Sequence, residues 1–285
     1  MRKVLFAVDF SPYSEALLGR VEELVQLGME ELVLVHVIDS GFAVLSLPEL
    51  MRTYAEEEIE RIEQSIAVRG LNILSIVELG IPARKILEAA EDNQVSLICL
   101  GAHGKGFFGH LLMGSVSSKV LRLADKPVLV HKCRIKEERE DYFCENASAP
   151  LFESVLITTD FSAYSESIRS LLQDFVAQYC TRITLLHVLE EEDGRPAEEK
   201  AAKQKMDLLR ELHSCFGGMC QEIEIKLEKG SPSSTILKVA GETRASLIVM
   251  GALGHRRLAE KLLGGVAESV VSQSEVPVLV LRAQG

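Results

Sequence analysis

Short apolar runs alternate along the chain with longer segments in which apolar residues recur at helical spacing. Runs that are apolar throughout are typical of strands covered on both faces, as in parallel sheets. The pattern predicts five strands in each half, separated by helices in right-handed βαβ units. The predicted strands lie near residues 3–8, 31–37, 72–77, 96–100 and 127–131, and near 153–158, 182–188, 220–227, 246–250 and 277–281.

The second half of the chain repeats the first at a nearly constant offset. The aligned segments are 4–15 with 155–166, 34–37 with 185–188, 96–101 with 246–251, and 126–130 with 276–280. The first pair reads VLFAVDFSPYSE and VLITTDFSAYSE, so the polar residues after the strand recur as well. A repeat of this extent indicates a duplicated domain.

The repeat sets the predicted domain boundaries. We expect α/β domains at residues 1–132 and 151–285, each a five-stranded parallel sheet flanked by helices. A linker at residues 133–150 joins them. Its charged stretch, residues 134–141, is typical of a solvated surface or of one helical turn.

Several residues predict where helices begin. Ser11 and Ser162 follow the first strand of each half, where a serine caps a helix. Pro82 and Pro232 suit the first helical position, because proline lacks the N–H that would have no acceptor there. Ser115 precedes a helical pattern and is predicted as an N-cap.

Composition and charge bear on the partners and the compartment. The 285 residues carry a formal net charge of -11, which argues against broad binding to nucleic acid or anionic membranes. Neither a signal-peptide core nor an apolar run of membrane-spanning length occurs. The 6 cysteines are scattered, as is typical of reduced thiols. We therefore expect a cytoplasmic protein without a nucleic-acid or membrane partner.

A glycine-rich segment follows the fourth predicted strand of the first half. It has the form Gly-x2-Gly-x9-Gly-Ser, with Gly101, Gly104, Gly114 and Ser115 at the defined positions. Glycines let the backbone approach an anion, and the N–H groups and dipole of a helix N-terminus favour negative charge. The segment is therefore predicted to hold phosphate.

An aspartate ends the first strand of each half. Asp9 and Asp160 lie where open parallel sheets place residues that contact a ligand. One interpretation is a carboxylate that binds a ribose or a base, and the other is a helix-capping aspartate in Asp-Phe-Ser. The sequence leaves both open.

Three histidines are candidates for chemistry. His36 and His187 recur inside the second strand, where a histidine is usually a core residue with satisfied hydrogen bonds. His103 lies in the glycine turn and is the better candidate to approach a ligand. Its counterpart is Leu253, so this role would belong to the first half alone.

Other known motifs are excluded. Residues 104–109 spell Gly-x-Gly-x-x-Gly, but they follow the fourth strand and residues 254–259 do not repeat the pattern, so they are not a dinucleotide fingerprint. No P-loop, paired Cys-x2-Cys, Gly-x-Ser-x-Gly or His-Glu-x-x-His occurs. The sequence thus predicts neither a catalytic nucleophile nor a metal site.

With a strand that ends in aspartate, the glycine frame and a closing Pro-Val-Leu-Val strand, the chain resembles the universal stress protein family over both halves. The resemblance implies Rossmann-like, adenine nucleotide α-hydrolase-like domains that bind ATP or AMP, with or without magnesium, across strands one and four. Its site residues, with His103 added from its place in the turn, are Ala7, Val8, Asp9, Val37, Gly101, His103, Gly104, Gly114, Ser115, Val116 and Ser117. It also implies that the final strands pair the domains into a pseudo-dimer, with a homodimer as a further option.

The second half departs from this pattern at the phosphate end. It keeps the corresponding residues Asp160, Gly251, Gly254 and Gly264. Gly265 replaces Ser115, and Ala267 replaces Ser117, so two hydroxyls are missing. A hydrogen bond to a charged group contributes about 1.5–3 kcal/mol, so losing one weakens phosphate binding by about 10- to 100-fold. The second site is expected to bind fewer phosphates, aided by basic residues at 256, 257 and 261, or to be empty.

The favoured function is an adenine-nucleotide-binding module or sensor in a stress response, because a phosphate cradle has no evident general base or nucleophile beside it. One alternative is a slow ATPase or a nucleotidyl-transfer enzyme of the same superfamily. The sequence lacks a pyrophosphatase loop of the Ser-Gly-Gly-x-Asp type after the first strand, which counts against the transferase. The other alternative is a ligand-free interaction scaffold.

Overall fold

The computed structural model divides the chain into two units, Met1–Ser148 and Ala149–Gly285. The residues that the structure describes are 2–43, 48–66, 68–103, 113–132, 135–138, 141–144, 150–161, 180–190, 197–218, 220–253 and 263–282. No helix within those ranges has the length and apolar character needed to cross a membrane.

The first unit is an open parallel sheet with helices between its strands. Its elements are β1 (Lys3–Ala7), α1 (Pro12–Leu18), α2 (Val21–Gln26), β2 (Glu31–Asp39), α3 (Ser40–Ala43), α4 (Pro48–Ser65), β3 (Asn72–Gly80), α5 (Pro82–Asp92), β4 (Leu97–Gly101), α6 (Ser115–Leu123), β5 (Val128–His131), β6 (Ile135–Glu138) and β7 (Asp141–Cys144). The strand order in the parallel sheet is β3-β2-β1-β4-β5.

The second unit repeats this architecture. Its elements are β8 (Ser154–Thr158), β9 (Arg182–Leu189), α7 (Ala197–Cys215), β10 (Glu222–Lys229), α8 (Pro232–Glu242), β11 (Leu247–Gly251), α9 (Gly265–Gln273) and β12 (Val278–Leu281). The parallel order is β10-β9-β8-β11-β12. The ten predicted strands and the tandem α/β fold are therefore confirmed.

Burial explains why the strands were readable from the sequence. All residues of β5, β8 and β12 are buried, and so are four of the five residues of β4 and β11. In the edge strands β3 and β10 the residues are partly or fully exposed. Residues 222–229 read EIEIKLEK, so charged side chains alternate with apolar ones where a single face packs on the core.

Most predicted helix starts are confirmed. Ser11 caps α1 in a reciprocal capping box with Ser14, and Pro82 and Pro232 each open a helix. The prediction for Ser115 is wrong by one position, because Gly114 is the N-cap of α6 and Ser115 is its first helical residue. Ser162 lies outside the described residues.

The segment between the domains differs from the expected polar linker with a helical turn. It contains β6 and β7, which pair antiparallel from Ile135 with Cys144 to Glu138 with Asp141. β7 lies against α1 of the first unit. The residue types in β7 account for the strand, because Tyr, Phe and Cys follow Asp141 and aromatic residues favour extended backbone.

Candidate functional site

The carboxyl ends of three neighbouring strands meet at one edge of the first sheet. Ala7 at the end of β1 pairs with Val35 of β2 and Leu100 of β4. The N–H of Val8 donates to the carbonyl of Val35 at 2.9 Å, which extends this edge by one residue. Val37 lies two residues further along β2 and is partly exposed. The strand order reverses direction between β1 and β4, where open α/β sheets bind their ligands.

On the β4 side of this edge, one hydrogen bond joins the turn after β4 to the first turn of α6, and we call these two segments the backbone cradle. The N–H of Gly114 donates to the carbonyl of Ala102 at 2.8 Å, which ties the start of α6 to the turn after β4. Ser115, Val116 and Ser117 form the first turn of α6. Because the first N–H groups of a helix have no acceptor within the helix, this turn presents donors suited to an anion.

The second domain builds the same backbone connection. The N–H of Gly264 donates to the carbonyl of Ala252 at 2.8 Å, and that of Glu268 to Gly264 at 3.0 Å. Gly265 is the first helical residue of α9 and is exposed. Gly251 ends β11, as Gly101 ends β4. The glycine frame therefore folds alike in both copies over the described part.

Gly101 is required for a close approach of the backbone. A Cβ at this position would lie 3.3 Å from the carbonyl oxygen of His103 and 3.3 Å from Cβ of Tyr13. His103 is buried, and its ring lies 5.2 Å from that of Tyr13, tilted by 56°. His103 therefore packs on α1 through this ring contact, and its predicted approach to a ligand stays a prediction.

The two serines of the first helical turn differ in their surroundings. Ser115 is exposed. Ser117 is buried, and its hydroxyl donates to the carbonyl of Gly101 at 2.7 Å. A hydroxyl has one proton to donate, and that of Ser117 ties the first turn of α6 to the end of β4; its contact with phosphate stays a prediction. Ser115 is the hydroxyl that the geometry offers to a ligand.

Asp9 takes part in capping α1. One carboxylate oxygen, Oδ1, accepts from the N–H of Ser11 at 3.1 Å and from its hydroxyl at 2.6 Å. Asp9 therefore holds Ser11, the N-cap of α1, rather than capping the helix itself, and its contact with a ribose or a base stays a prediction. Asp160 is partly exposed at the same place in the second domain, where the N–H of Phe161 donates to Oγ1 of Thr159.

The histidines of the second strands contact the carbonyl before each aspartate. Nδ1 of His36 lies 2.9 Å from the oxygen of Val8, and Nδ1 of His187 lies 2.7 Å from that of Thr159. A carbonyl only accepts, so Nδ1 carries the proton in both rings. The sequence showed that these histidines recur but did not show this contact.

Three buried basic side chains, those of Arg20, His131 and Lys132, lie at the carboxyl end of β5. Nε of Arg20 donates to Nε2 of His131 at 3.2 Å, and its Nη1 pairs with Glu23 at 2.6 Å. Burial, with a smaller contribution from Arg20, lowers the pKa of His131 to about 3. Burial also lowers the pKa of Lys132 to about 8. His131 is therefore neutral at physiological pH.

Some predicted residues cannot be placed. Gly104, Gly254 and the basic residues at 256, 257 and 261 lie outside the described residues. Within the described ranges, no three His, Cys, Asp or Glu side chains are grouped so as to hold a metal ion.

A doubly wound parallel sheet, with a glycine turn leading to a helix N-terminus at its switch point, defines a class of α/β domain that this chain contains twice. The model of the universal stress protein family matches residues 1–132 and 151–282. The chain therefore belongs to the universal stress protein family, as a tandem member.

Individual relatives agree with the duplication. Universal stress protein MJ0577 of Methanocaldococcus jannaschii is 32% identical over 153 residues, which are 46% of this chain and 94% of that protein. A universal stress protein of Mycolicibacterium smegmatis is 24% identical over 98% of this chain and 96% of that protein. The crystal structure of one from Archaeoglobus fulgidus matches with a TM-score of 0.68 and 26% identity, covering 98% of this chain and 96% of that chain.

Proposed function

We propose that the first domain binds an adenine nucleotide, ATP or AMP, and acts as a binding or sensor module in a stress response. The observation that carries this proposal is the exposed hydroxyl of Ser115 on a helix start that the Gly114–Ala102 hydrogen bond ties to the end of β4. The phosphates would lie on the first turn of α6, and the base and ribose near Asp9 and Val37.

Geometry supports an unequal pair of sites. The backbone cradle occurs in both domains, but Gly265 stands where the first domain has Ser115. The second domain would therefore bind phosphate through N–H groups alone. Because the Ser117 hydroxyl donates to the carbonyl of Gly101 at the end of β4, we take one hydroxyl rather than two to separate the sites. We expect affinities that differ by about 10- to 100-fold.

The test exchanges this hydroxyl between the domains. Ser115→Ala should weaken the tighter site by about 10- to 100-fold. Gly265→Ser should strengthen the weaker one, and it is sterically permitted because a Cβ there meets no atom within 4 Å. Gly265→Ala is the matched control, since it adds the same Cβ without the hydroxyl. Calorimetric titration with ATP and with AMP supplies the affinities.

Equal affinities of the two domains in the wild-type protein, or no heat of binding at all, would contradict the proposal. Hydrolysis measured in the same samples with magnesium decides the alternative of a slow ATPase, and wild-type rates should not exceed those of Ser115→Ala. The cytoplasmic location, the magnesium ion, pairing through the final strands and a homodimer stay predictions.

A further inference from the structure

A phenylalanine with left-handed backbone follows the aspartate in both domains. Phe10 has a φ of 57° and Phe161 a φ of 59°. This region is uncommon for a bulky residue, because Cβ crowds the following carbonyl. The conformation occurs in two copies of the domain, so the surrounding structure must hold it there.

One imidazole contacts the chain on both sides of the aspartate. His36 donates from Nδ1 to the carbonyl of Val8, the residue before Asp9, at 2.9 Å. The same ring stacks on Phe10, the residue after Asp9, with centroids 4.1 Å apart and planes within 20°. The ring of Tyr54 from α4 lies nearly perpendicular to that of Phe10, with the ring centroids 6.4 Å apart. The aspartate is thus bracketed by two contacts from one side chain.

The second domain repeats the arrangement with a looser ring contact. His187 lies 2.7 Å from the carbonyl of Thr159, and its ring is 4.9 Å from that of Phe161, tilted by 45°. The ammonium of Lys205 lies over the Phe161 ring at 4.9 Å, where the first domain has an aromatic edge. The contact from the histidine to the carbonyl before the aspartate is thus kept in both copies of the duplicated domain.

The left-handed turn at Phe10 has a consequence for the carboxylate. It brings the N–H and the hydroxyl of Ser11 back to Oδ1 of Asp9, at 3.1 and 2.6 Å. These two bonds fix the plane of the carboxylate and so the direction in which it meets a ligand. If Phe10 relaxed to negative φ, the Ser11 donors would turn away.

We propose that His36 is a positioning residue for Asp9: it holds Phe10 in the left-handed conformation and thereby orients the carboxylate toward the nucleotide. The part that concerns the nucleotide rests on the proposed function. In the second domain, His187 makes the corresponding contacts to Thr159 and Phe161, with a looser and tilted ring contact.

The experiment has two readouts, ATP affinity and amide hydrogen exchange at Ser11, whose N–H donates to Oδ1 of Asp9 and to Oγ of Ser14. His36→Leu removes the donor and the stack, so exchange at Ser11 should quicken and ATP affinity should fall, each by about 5- to 10-fold. His187→Leu is the matched control in the second domain, and it should leave both readouts of the first domain unchanged. Core amides of β4 report whether each variant is folded.

A second pair of variants tests the backbone step. Phe10→Ala loses the stack and leaves an unsupported positive φ, whereas Phe10→Gly loses the same stack but adopts positive φ without strain. We expect Phe10→Ala to resemble His36→Leu, and Phe10→Gly to stay near the wild-type values. Equal behaviour of the two Phe10 variants would overturn the inference, because the left-handed backbone would then not orient Asp9, and this comparison does not depend on the folding of His36→Leu.

The outcomes separate the two proposals. If the wild-type protein does not bind ATP, the proposed function fails, while exchange at Ser11 still decides whether His36 holds the turn. If the wild-type protein binds ATP and His36→Leu changes neither readout, the inference fails and the proposed function stands.

Discussion

The hydroxyl of Ser117 donates a 2.7 Å hydrogen bond to the carbonyl of Gly101, across 16 positions of the chain. The first turn of α6 is thereby tied to the end of β4 by a side chain as well as by the backbone bond from Gly114 to Ala102. The second domain has Ala267, which has no hydroxyl, at the corresponding position and keeps the backbone bond from Gly264 to Ala252. The two helix starts therefore share a shape but differ in how firmly they are held.

Removing this hydroxyl should loosen the helix start. Ser117→Ala deletes a buried hydrogen bond that contributes about 1 kcal/mol, so amides in α6 should exchange about 5-fold faster. Ala267→Ser is the reciprocal change and should slow exchange in α9. Amide hydrogen exchange on the full chain measures both, and unchanged α6 amides in Ser117→Ala would contradict the assignment.

A buried hydroxyl in β9 should be replaceable with a gain in stability. Oγ1 of Thr184 is fully buried and has no hydrogen-bond partner among the described residues, and the repeat places Val33 at the same position of β2. Thr184→Val removes an unsatisfied polar group at nearly constant volume, and we expect a gain of about 1 kcal/mol. Val33→Thr is the control and should lower the melting temperature. A lower melting temperature for Thr184→Val would mean that the hydroxyl has a partner in solution.

The folded protein should lose stability as the pH is lowered, and His131 is one cause. Burial and Arg20 hold its folded-state pKa at about 3, below the usual 6.5, so the unfolded chain binds the proton more readily between these values. The contribution of His131 is therefore fully present above pH 6.5 and is lost as the pH falls toward about 3, by at most about 1.4 kcal/mol per pH unit. Urea unfolding at a series of pH values measures this dependence.

The control for that series is His131→Leu, which copies Leu281 of the second domain. It should be less stable at neutral pH, because Arg20 loses the imidazole nitrogen to which its Nε donates. Its stability should depend less steeply on pH below 6.5, while the carboxylates titrate equally in both proteins. Parallel pH profiles would show that His131 is not held neutral by the fold.

Four cysteines should differ in their reactivity toward alkylation. Burial raises the pKa of the Cys99 thiol well above its usual value and that of Cys180 to about 12. Cys215 and Cys220 are partly exposed, and the pKa of Cys220 is raised mainly by partial burial. Because the thiolate reacts, iodoacetamide should label Cys215 first, Cys220 next, and Cys99 and Cys180 only on unfolding. Mass spectrometry of timed digests checks the order, and early labelling of Cys99 would contradict it.

Much of the fold could be predicted from the sequence, because a strand that is buried on both faces appears there as a continuous apolar run. The apolar run at residues 97–100 predicted β4, and its repeat at 247–250 predicted β11. The glycine spacing located the backbone cradle. At Gly101 the reason is steric, because a Cβ there would come within 3.3 Å of Tyr13 and of the carbonyl oxygen of His103. The strands β6 and β7 were missed, because a charged stretch without apolar periodicity does not indicate a pairing partner.

The sequence by itself determined the duplicated α/β architecture, the cradle glycines and the loss of Ser115 in the second half, since these follow from periodicity and from aligned positions. Only the tertiary structure decided that Ser117 bonds to Gly101 at the end of β4 and that His36 reaches the carbonyl of Val8, 28 positions away. Such contacts depend on which strands are neighbours and on the backbone conformation at Phe10. Neither property is encoded in local hydrophobic pattern, so the direction of the site's side chains emerges only when the sheet is assembled.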